Sequence, residues 1–144
     1  MNQINGKAWV DALRSGKYVQ GKFALRQTTG PDCINTYCCL GVVTELAVAA
    51  GVLPAGILSE VVQEGLTFQY QFDKTGKYTN GSLPESVREW LEIKNPGLPL
   101  QLSGRGSEDA SYVNDKLKYT FAQIADLIES QYLTPQSINS DESN

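Results

Sequence analysis

The first part of the chain carries side chains suited to binding a small anion. Arg14, Lys22 and Arg26 supply positive charge near the N-terminus, where phosphate groups would be neutralised. Trp9 and Tyr18 supply aromatic rings that could stack on a planar base. These residue types together predict a binding site for a phosphorylated, ring-containing ligand. The alternative is that the bases form an ordinary solvated surface and that Trp9 anchors the core.

Two further segments offer backbone and side-chain hydrogen bonds to such a ligand. Leu40 and Gly41 follow a Cys-Cys pair at the start of a predicted helix, where N–H groups lack helical partners and can bind an anion. Asn114 and Asp115 carry groups that could bind ribose hydroxyls or the edge of a base. For this second pair the sequence favours a simpler role, which is to cap the turn before the last helix.

The chain contains no histidine, which removes most nucleophilic and acid–base catalysis. Its cysteines, Cys33, Cys38 and Cys39, fit neither a disulfide framework nor a zinc site, and the adjacent pair is expected to pack as small apolar side chains. We therefore expect a binding protein with no catalytic residue, no metal and no cofactor. The alternative is an enzyme that degrades a nucleotide with a metal and paired carboxylates such as Asp109 and Asp115.

Charge is unevenly distributed along the chain. Residues 1–31 have five bases and one acid, whereas residues 32–144 have seven bases and fifteen acids, and the net charge is −4. This balance argues against long nucleic acid as a partner, because that needs a broad basic face. No apolar run is long enough for a membrane span. The N-terminal segment carries charged residues where a signal peptide would have its apolar region. We expect an intracellular protein without a membrane partner.

Hydrophobic spacing predicts the elements that position these residues. A first helix is expected over residues 5–15 with Asn5 as its N-cap, and a second over residues 39–51. Residues 28–35 are expected to form a turn-rich loop before the second helix.

Residues 18–26 alternate imperfectly and predict a short strand or an extended loop. In that conformation Phe23 and Leu25 would point inward, and Lys22 and Arg26 would share the opposite face. Two bases on one face could bind a phosphate between them, or they could be ordinary charges on an edge strand.

The second half of the chain has one clear strand and one clear helix. Strict alternation predicts a strand over residues 66–72, which a turn at residues 73–76 folds into a hairpin near 66–79. Thr120 and Gln123 form a capping box that opens the last helix, which extends to Leu133.

The remaining segments are shorter and are assigned from local signals. They are a helical turn at 58–62, a helix from a capping box at 82–85 to residue 91, a loop at 98–106, and a helical turn at 108–114. The predicted fold class is α+β, with four to five helices around a small antiparallel sheet. We expect a single domain over residues 1–133 and a disordered polar tail over 134–144.

Several blocks of the sequence together resemble a widespread family of small bacteriophage proteins. They are WVDALRSGKYVQGKFALR, YCCLGVVTELA and VNDKLKYTFAQIADLIE, joined by LPESVREWL, and they span most of the chain apart from the hairpin and the tail. The chain departs from the family pattern at Phe23, where a small residue is expected, and at Val113, where leucine is expected. The resemblance implies a phage protein made in the cytoplasm of a bacterial host.

Some small phage proteins without catalytic machinery act as sponges that sequester the nucleotide signals of defence systems such as Thoeris or CBASS. By this analogy we expect an anti-defence protein that binds a cyclic ADP-ribose-type signal or a cyclic dinucleotide without cleaving it, as a homo-oligomer. The alternative is a protein-interaction inhibitor that blocks a host defence protein or another host protein directly, through the hairpin at 66–78.

Overall fold

Five helices and a small antiparallel sheet make up the computed structural model, which describes residues 1–61 and 65–135. The expected α+β class is therefore confirmed. The elements in chain order are α1 (Gln3–Arg14), β1 (Gln27–Thr29), β2 (Ile34–Thr36), α2 (Cys39–Ala49), β3 (Ile57–Val61), β4 (Gly65–Gln71), β5 (Tyr78–Thr79), α3 (Glu85–Leu91), β6 (Pro99–Leu102), β7 (Gly106–Asp109), α4 (Ala110–Asp115) and α5 (Phe121–Tyr132).

The sheet is arranged around β4, the strand with the clearest alternation in the sequence. Its strand order is β2-β1-β4-β3, and β5 pairs with the far end of β4, all antiparallel. The predicted hairpin is confirmed, because β4 returns through the turn into β5 with Phe72 donating to the carbonyl of Lys77 at 2.8 Å. Strands β6 and β7 form a separate hairpin.

The core lies between α1, α2 and α5, with side chains of α3, α4 and β6 added at its edge. Trp9 is fully buried there, and its indole N–H donates to the carbonyl of Cys39 at 3.0 Å. This bond ties α1 to the first turn of α2, so Trp9 is the core anchor that the sequence offered as an alternative.

Three segments that the sequence assigned to loops or helical turns are strands instead. Residues 28–35 hold the β1–β2 hairpin, and residues 98–106 contain β6 and the start of β7. Residues 57–61 form β3, so the helical turn expected at 58–62 is wrong up to residue 61, and residue 62 lies outside the described residues. These predictions were wrong because such short strands carry little alternation of their own. Their pairing partners, above all β4, decide their conformation.

Two helix starts also differ from the prediction. Helix α1 is capped by Asn2, whose side-chain oxygen accepts from the backbone N–H of Asn5 at 2.9 Å. Asn5 instead donates its side-chain amide to the carbonyl of Trp90 at 2.9 Å. Helix α3 has Pro84 at its N-cap and no capping bond from a side chain, so the capping box expected at 82–85 is wrong.

The capping box of α5 is confirmed, since the Thr120 and Gln123 side chains each bond the backbone N–H of the other. It is the strongest local start signal in the sequence. The helix begins at the next residue, as predicted.

The segment 18–26 is an irregular loop and not a regular strand, with a single bridge between Gln20 and Tyr37. Leu25 is buried as expected, but Phe23 is 62% exposed and has a φ of 69°. The inward orientation predicted for Phe23 was wrong because the chain turns sharply at this point, where Ala24 donates to the carbonyl of Lys22 at 2.8 Å.

None of the helices in the described ranges is long and apolar enough to cross a membrane. The polar tail expected over 134–144 lies outside the described residues from position 136 onward.

The close approach of α2 to the loop before β1 gives a test of this packing. A Cβ added at Gly41 would lie 1.6 Å from the backbone carbonyl oxygen of Leu25, which cannot move aside as a side chain can. We expect Gly41→Ala to lower the free energy of unfolding, measured in urea, by about 3 kcal/mol or more.

Gly6→Ala is the matched control, because it also lies in a helix and meets only the flexible ends of Leu133 and Met1, at 2.7 Å. Its effect should stay within about 1 kcal/mol, since the gain in helix propensity offsets the contact. Equal effects of the two substitutions would contradict the packing described here.

Candidate anion-binding cleft

The side-chain amide of Asn114, at the end of α4, joins three parts of the chain. Asn114 is 1% exposed, and its oxygen accepts from Nε2 of Gln20 at 2.9 Å and from the backbone N–H of Cys39 at 3.3 Å. Its nitrogen donates to the carbonyl of Gly21 at 2.9 Å and to Oδ1 of Asp115 at 2.8 Å. The expectation that Asn114 caps the turn before the last helix was therefore wrong, because its side chain accepts from the first N–H of α2 instead.

Gln20 makes the corresponding connection to α5. Its Nε2 also donates to the carbonyl of Tyr119 at 2.8 Å, and its Oε1 accepts from the backbone N–H of Phe121 at 3.1 Å. Asp115 fixes the next turn of the loop, since its Oδ1 accepts from the backbone N–H of Phe23 at 3.0 Å. The basic N-terminal loop and the Asn114-Asp115 turn thus meet in space.

A cleft of about 270 Å³ opens where these segments meet. It is lined by Gln20, Gly21, Lys22, Asn114, Lys118 and Tyr119. The cleft combines two lysines, one tyrosine and two fixed amides, a lining suited to an anion that carries an aromatic group.

Positive charge around the cleft is not balanced by ion pairs. Lys22, Lys116 and Lys118 are exposed, and none of them forms an ion pair with another residue of the described ranges. The Nζ of Lys116 lies 5.2 Å from the ring centroid of Phe23, so this lysine places its positive charge beside the exposed Phe23 ring. The nearby carboxylate of Asp115 is already engaged by two hydrogen-bond donors.

Arg26 lies on the sheet and not in this cleft. Its guanidinium carbon is 4.0 Å from the ring centroid of Phe68 and 5.8 Å from that of Tyr37. Its Nε donates to Oδ1 of Asn35 at 3.2 Å, and its NH1 is 3.7 Å from Oε2 of Glu45. The expectation that Lys22 and Arg26 share a strand face was therefore wrong.

Tyr18 belongs to the same group as Arg26. Its ring meets that of Tyr37 edge to face, with centroids 5.1 Å apart. Burial and the nearby charge of Glu45 raise the pKa of the Tyr18 hydroxyl, so the group stays neutral. The Tyr70 hydroxyl donates to the Glu45 carboxylate, and burial together with this bond raises the Tyr70 pKa.

Four other residues predicted for the site have different surroundings. Trp9 is fully buried in the core, and Leu40 and Gly41 are buried in the first turn of α2, where the Gly41 N–H donates to the carbonyl of Cys38 at 3.0 Å. Arg14 is the last residue of α1, and its side chain reaches α5. Its NH2 lies 2.6 Å from Oδ1 of Asp126 and 3.0 Å from Oε1 of Glu129.

The hydrogen bonds that Arg14 donates to Glu129 and Asp126 raise the pKa of Arg14 further above its usual value. Its charge is thus compensated within the protein, and the structure gives these four residues no place at the cleft.

The sequence interpretation missed the contributions of Gln20, Lys118 and Tyr119 to the cleft and of Glu45 to the Arg26 group. The run Gln20-Gly21-Lys22 was a usable signal, because a long amide next to glycine and lysine is suited to an anion-binding turn. Glu45 carried no signal, since its position within a helix does not reveal which strand lies against it.

Cys38 and Cys39 are buried behind the cleft at the start of α2. Burial raises the pKa of Cys38 to about 12 and that of Cys39 well above its usual range, despite the favourable helix N-terminus. Within the part of the chain that the structure describes, no three His, Cys, Asp or Glu residues are grouped so that they could hold a metal ion.

The chain belongs to the family described as domain of unknown function (DUF8296), whose profile matches residues 1–132. This match covers every helix and strand given above. The comparisons with curated proteins and with solved structures each found no match.

The hydrogen bonds of Asn114 give a second prediction. Asn114→Ala removes four bonds and leaves the partly buried side chain of Gln20 and the buried N–H of Cys39 short of partners, so we expect about 2–4 kcal/mol less stability in urea unfolding. Asn95→Ala is the control, because Asn95 is exposed and its side chain bonds, among the described residues, only the N–H of Gly97. A loss at Asn114 no larger than that at Asn95 would refute the assignment.

The cysteine environments give a third prediction. At mildly alkaline pH a thiol-reactive dye should label Cys33 rapidly in the folded protein, because Cys33 is exposed whereas Cys38 and Cys39 are buried with raised pKa values. Cys33→Ser should abolish the rapid phase, and urea should release two further thiols. Rapid labelling of the Cys33→Ser protein without urea would show that α2 is not packed as described.

Proposed function

We propose that this DUF8296 protein binds a small phosphorylated nucleotide at the cleft and sequesters it without cleaving it. The observation that carries the proposal is the meeting of Lys22, Lys118 and nearby Lys116, none in an ion pair within the described residues, around a cleft held by the amides of Asn114 and Gln20. Lysine ammonium groups bind phosphate as mobile point charges, and a rigid amide frame keeps them close together.

The conformation of Phe23 supports an aromatic ligand. A bulky residue with a φ of 69° is disfavoured by about 1–3 kcal/mol, and here the turn holds its ring 62% exposed beside Lys116. An exposed ring held in this way is suited to stack on a base. Phe23 thus takes the role that the sequence assigned to Trp9 or Tyr18.

The biological setting of the proposal comes from the resemblance to small bacteriophage proteins. We infer that the protein acts in the cytoplasm of the bacterial host and counters a defence system by removing its nucleotide signal, of the cyclic ADP-ribose type or a cyclic dinucleotide. The cleft is open on its outer side, where Lys22 and Phe23 are exposed. A homo-oligomer in which a second copy covers the cleft would retain the ligand longer.

A second candidate function is direct inhibition of a host protein. Ile57, Leu58 and Tyr78 are exposed on or beside the hairpin strands, and apolar side chains at a sheet edge favour binding to a protein. This candidate needs no small molecule and predicts one protein partner in a pulldown.

A thermal-shift screen distinguishes the two candidates. The protein is melted with cyclic dinucleotides, cyclic ADP-ribose isomers, ADP-ribose conjugates and plain nucleotides, and each ligand that raises the melting temperature is released by heat and identified by chromatography. A ligand recovered intact supports sequestration, and an altered ligand would mean an enzyme. No shift across the panel would contradict nucleotide binding and favour a protein partner.

Charge removal at the cleft gives a fourth prediction, measured with the nucleotide that shifts the melting temperature most. Lys22→Ala and Lys118→Ala should each weaken binding about tenfold, as expected for the loss of one charge-assisted contact. Lys77→Ala, at the turn between β4 and β5 and outside the lining of the cleft, is the matched control with the same change of net charge. Equal weakening by all three variants would indicate a general charge effect and not a site.

A further inference from the structure

We propose that the cleft continues into a surface strip that binds a second nucleobase, so that the ligand has two bases joined through phosphate. The strip is formed by four exposed residues, Phe23, Lys116, Tyr112 and Arg105. This proposal rests on the proposed nucleotide binding and specifies the class of ligand as a dinucleotide, linear or cyclic.

Rings and cations alternate along this strip. The Nζ of Lys116 lies 5.2 Å from the ring centroid of Phe23, and the guanidinium carbon of Arg105 lies 5.9 Å from the ring centroid of Tyr112. Tyr112 and Lys116 are one helical turn apart, and the N–H of Lys116 donates to the carbonyl of Tyr112 at 2.9 Å. The strip is therefore a continuous surface from the loop at Phe23 to Arg105.

The strip begins at the edge of the cleft. Phe23 directly follows Lys22, which lines the cleft. Oδ1 of Asp115 accepts from the backbone N–H of Phe23 at 3.0 Å, so this loop is attached to the end of α4 immediately before Lys116. A ligand that extends from the cleft past Phe23 therefore meets Lys116 next and Tyr112 after it.

The size of the cleft fits a ligand that is only partly enclosed. Its volume is about 270 Å³, whereas pockets that enclose drug-sized ligands measure about 300–1,000 Å³. A cleft of this size encloses only part of a dinucleotide, and the rest of such a ligand must lie on the surface beside it. The strip is suitable for that part, because it presents a second exposed ring.

The charges of the strip favour phosphate at its middle and an uncharged group at its far end. Lys116 forms no ion pair with a residue of 1–61 or 65–135, so its charge is available to a phosphate. NH2 of Arg105 instead lies 3.2 Å from Oε2 of Glu108, so these two charges largely cancel. A nucleobase is uncharged, and the second base therefore suits the ring of Tyr112.

Both rings keep free surface on which a base can stack. Phe23 is 62% exposed and Tyr112 is 40% exposed, although one cation lies near each ring. Stacking of bases on aromatic side chains is a main contribution to the binding of single-stranded nucleic acid, and cations beside the rings add to it. A mononucleotide stacked on Phe23 would leave the Tyr112 ring uncovered, whereas a dinucleotide covers both.

The test compares one-base and two-base ligands on the full-length protein by isothermal titration calorimetry. The one-base ligands are AMP, GMP and cyclic ADP-ribose, and the two-base ligands are pApA, pGpG, cyclic di-AMP and cyclic di-GMP. We expect at least one two-base ligand to bind about tenfold more tightly than the mononucleotide with the same base, as for one additional stacked base. Comparison of pApA and pGpG with the cyclic compounds distinguishes a linear from a cyclic ligand.

Variants at Tyr112 separate stacking of the second base from the effect of a second phosphate. Tyr112→Ala should weaken binding of the two-base ligand about tenfold and leave binding of the mononucleotide unchanged. Tyr112→Phe keeps the ring and should retain both affinities. Tyr78→Ala is the matched control, because Tyr78 is an exposed tyrosine of β5 outside the strip, and it should change neither affinity.

Three results would overturn the two-base site and leave the proposed function standing. They are equal affinities for one-base and two-base ligands, two-base binding that is unchanged in Tyr112→Ala, and equal weakening of both classes by Tyr112→Ala. No binding of any of the seven ligands would contradict the proposed function as well. Two-base binding that persists in Lys22→Ala and Lys118→Ala, but is weakened in Tyr112→Ala, would retain the strip and remove the cleft.

Discussion

The buried amide of Asn114 is the interaction on which the rest of the site depends. It holds the N–H of Cys39 at the start of α2, the carbonyl of Gly21 and the side chain of Gln20, which in turn holds the start of α5. The bond to Cys39 is buried and the other three are partly buried, so an unmet partner at Cys39 costs more than the bond itself contributes. The loop that carries Lys22 and Phe23 is therefore fixed by the same bonds that stabilise the core helices.

This arrangement divides the polar residues into two kinds of electrostatic environment. At the cleft, the lysines form no ion pair with any residue of 1–61 or 65–135, and the net charge of the chain is −4, so the positive potential is local. On the sheet, Arg26 is balanced by Glu45 and enclosed by Tyr37 and Phe68.

The parts of the fold that could be predicted from sequence are those that short-range contacts determine. The Thr120 capping box, the helix opening at Cys39 and the alternation of β4 all act over a few residues, and each was found. The β1–β2 and β6–β7 hairpins were missed because strands of three or four residues are too short to show an alternation of their own. At α1 the sequence predicted Asn5 as the N-cap, but Asn2 caps the helix. The side chain of Asn5 instead bonds the carbonyl of Trp90, which is distant in the chain.

The sequence indicated several of the polar and charged residues at the candidate cleft, but it did not indicate how they are arranged in space. Lys22, Asn114 and Asp115 were identified by type, and the structure brings them together through Gln20 and the turn at Phe23. Arg14 was misassigned because its partners, Asp126 and Glu129, lie more than a hundred residues away in the chain. Sequence spacing does not reveal such ion pairs.

The most direct test is a crystal structure of the protein with the nucleotide that raises its melting temperature most. We expect phosphate oxygens within about 4 Å of the Lys22 and Lys118 ammonium groups, the distance of an ion pair. Phosphate bound elsewhere, with both lysines left in solvent, would contradict the assignment of the cleft.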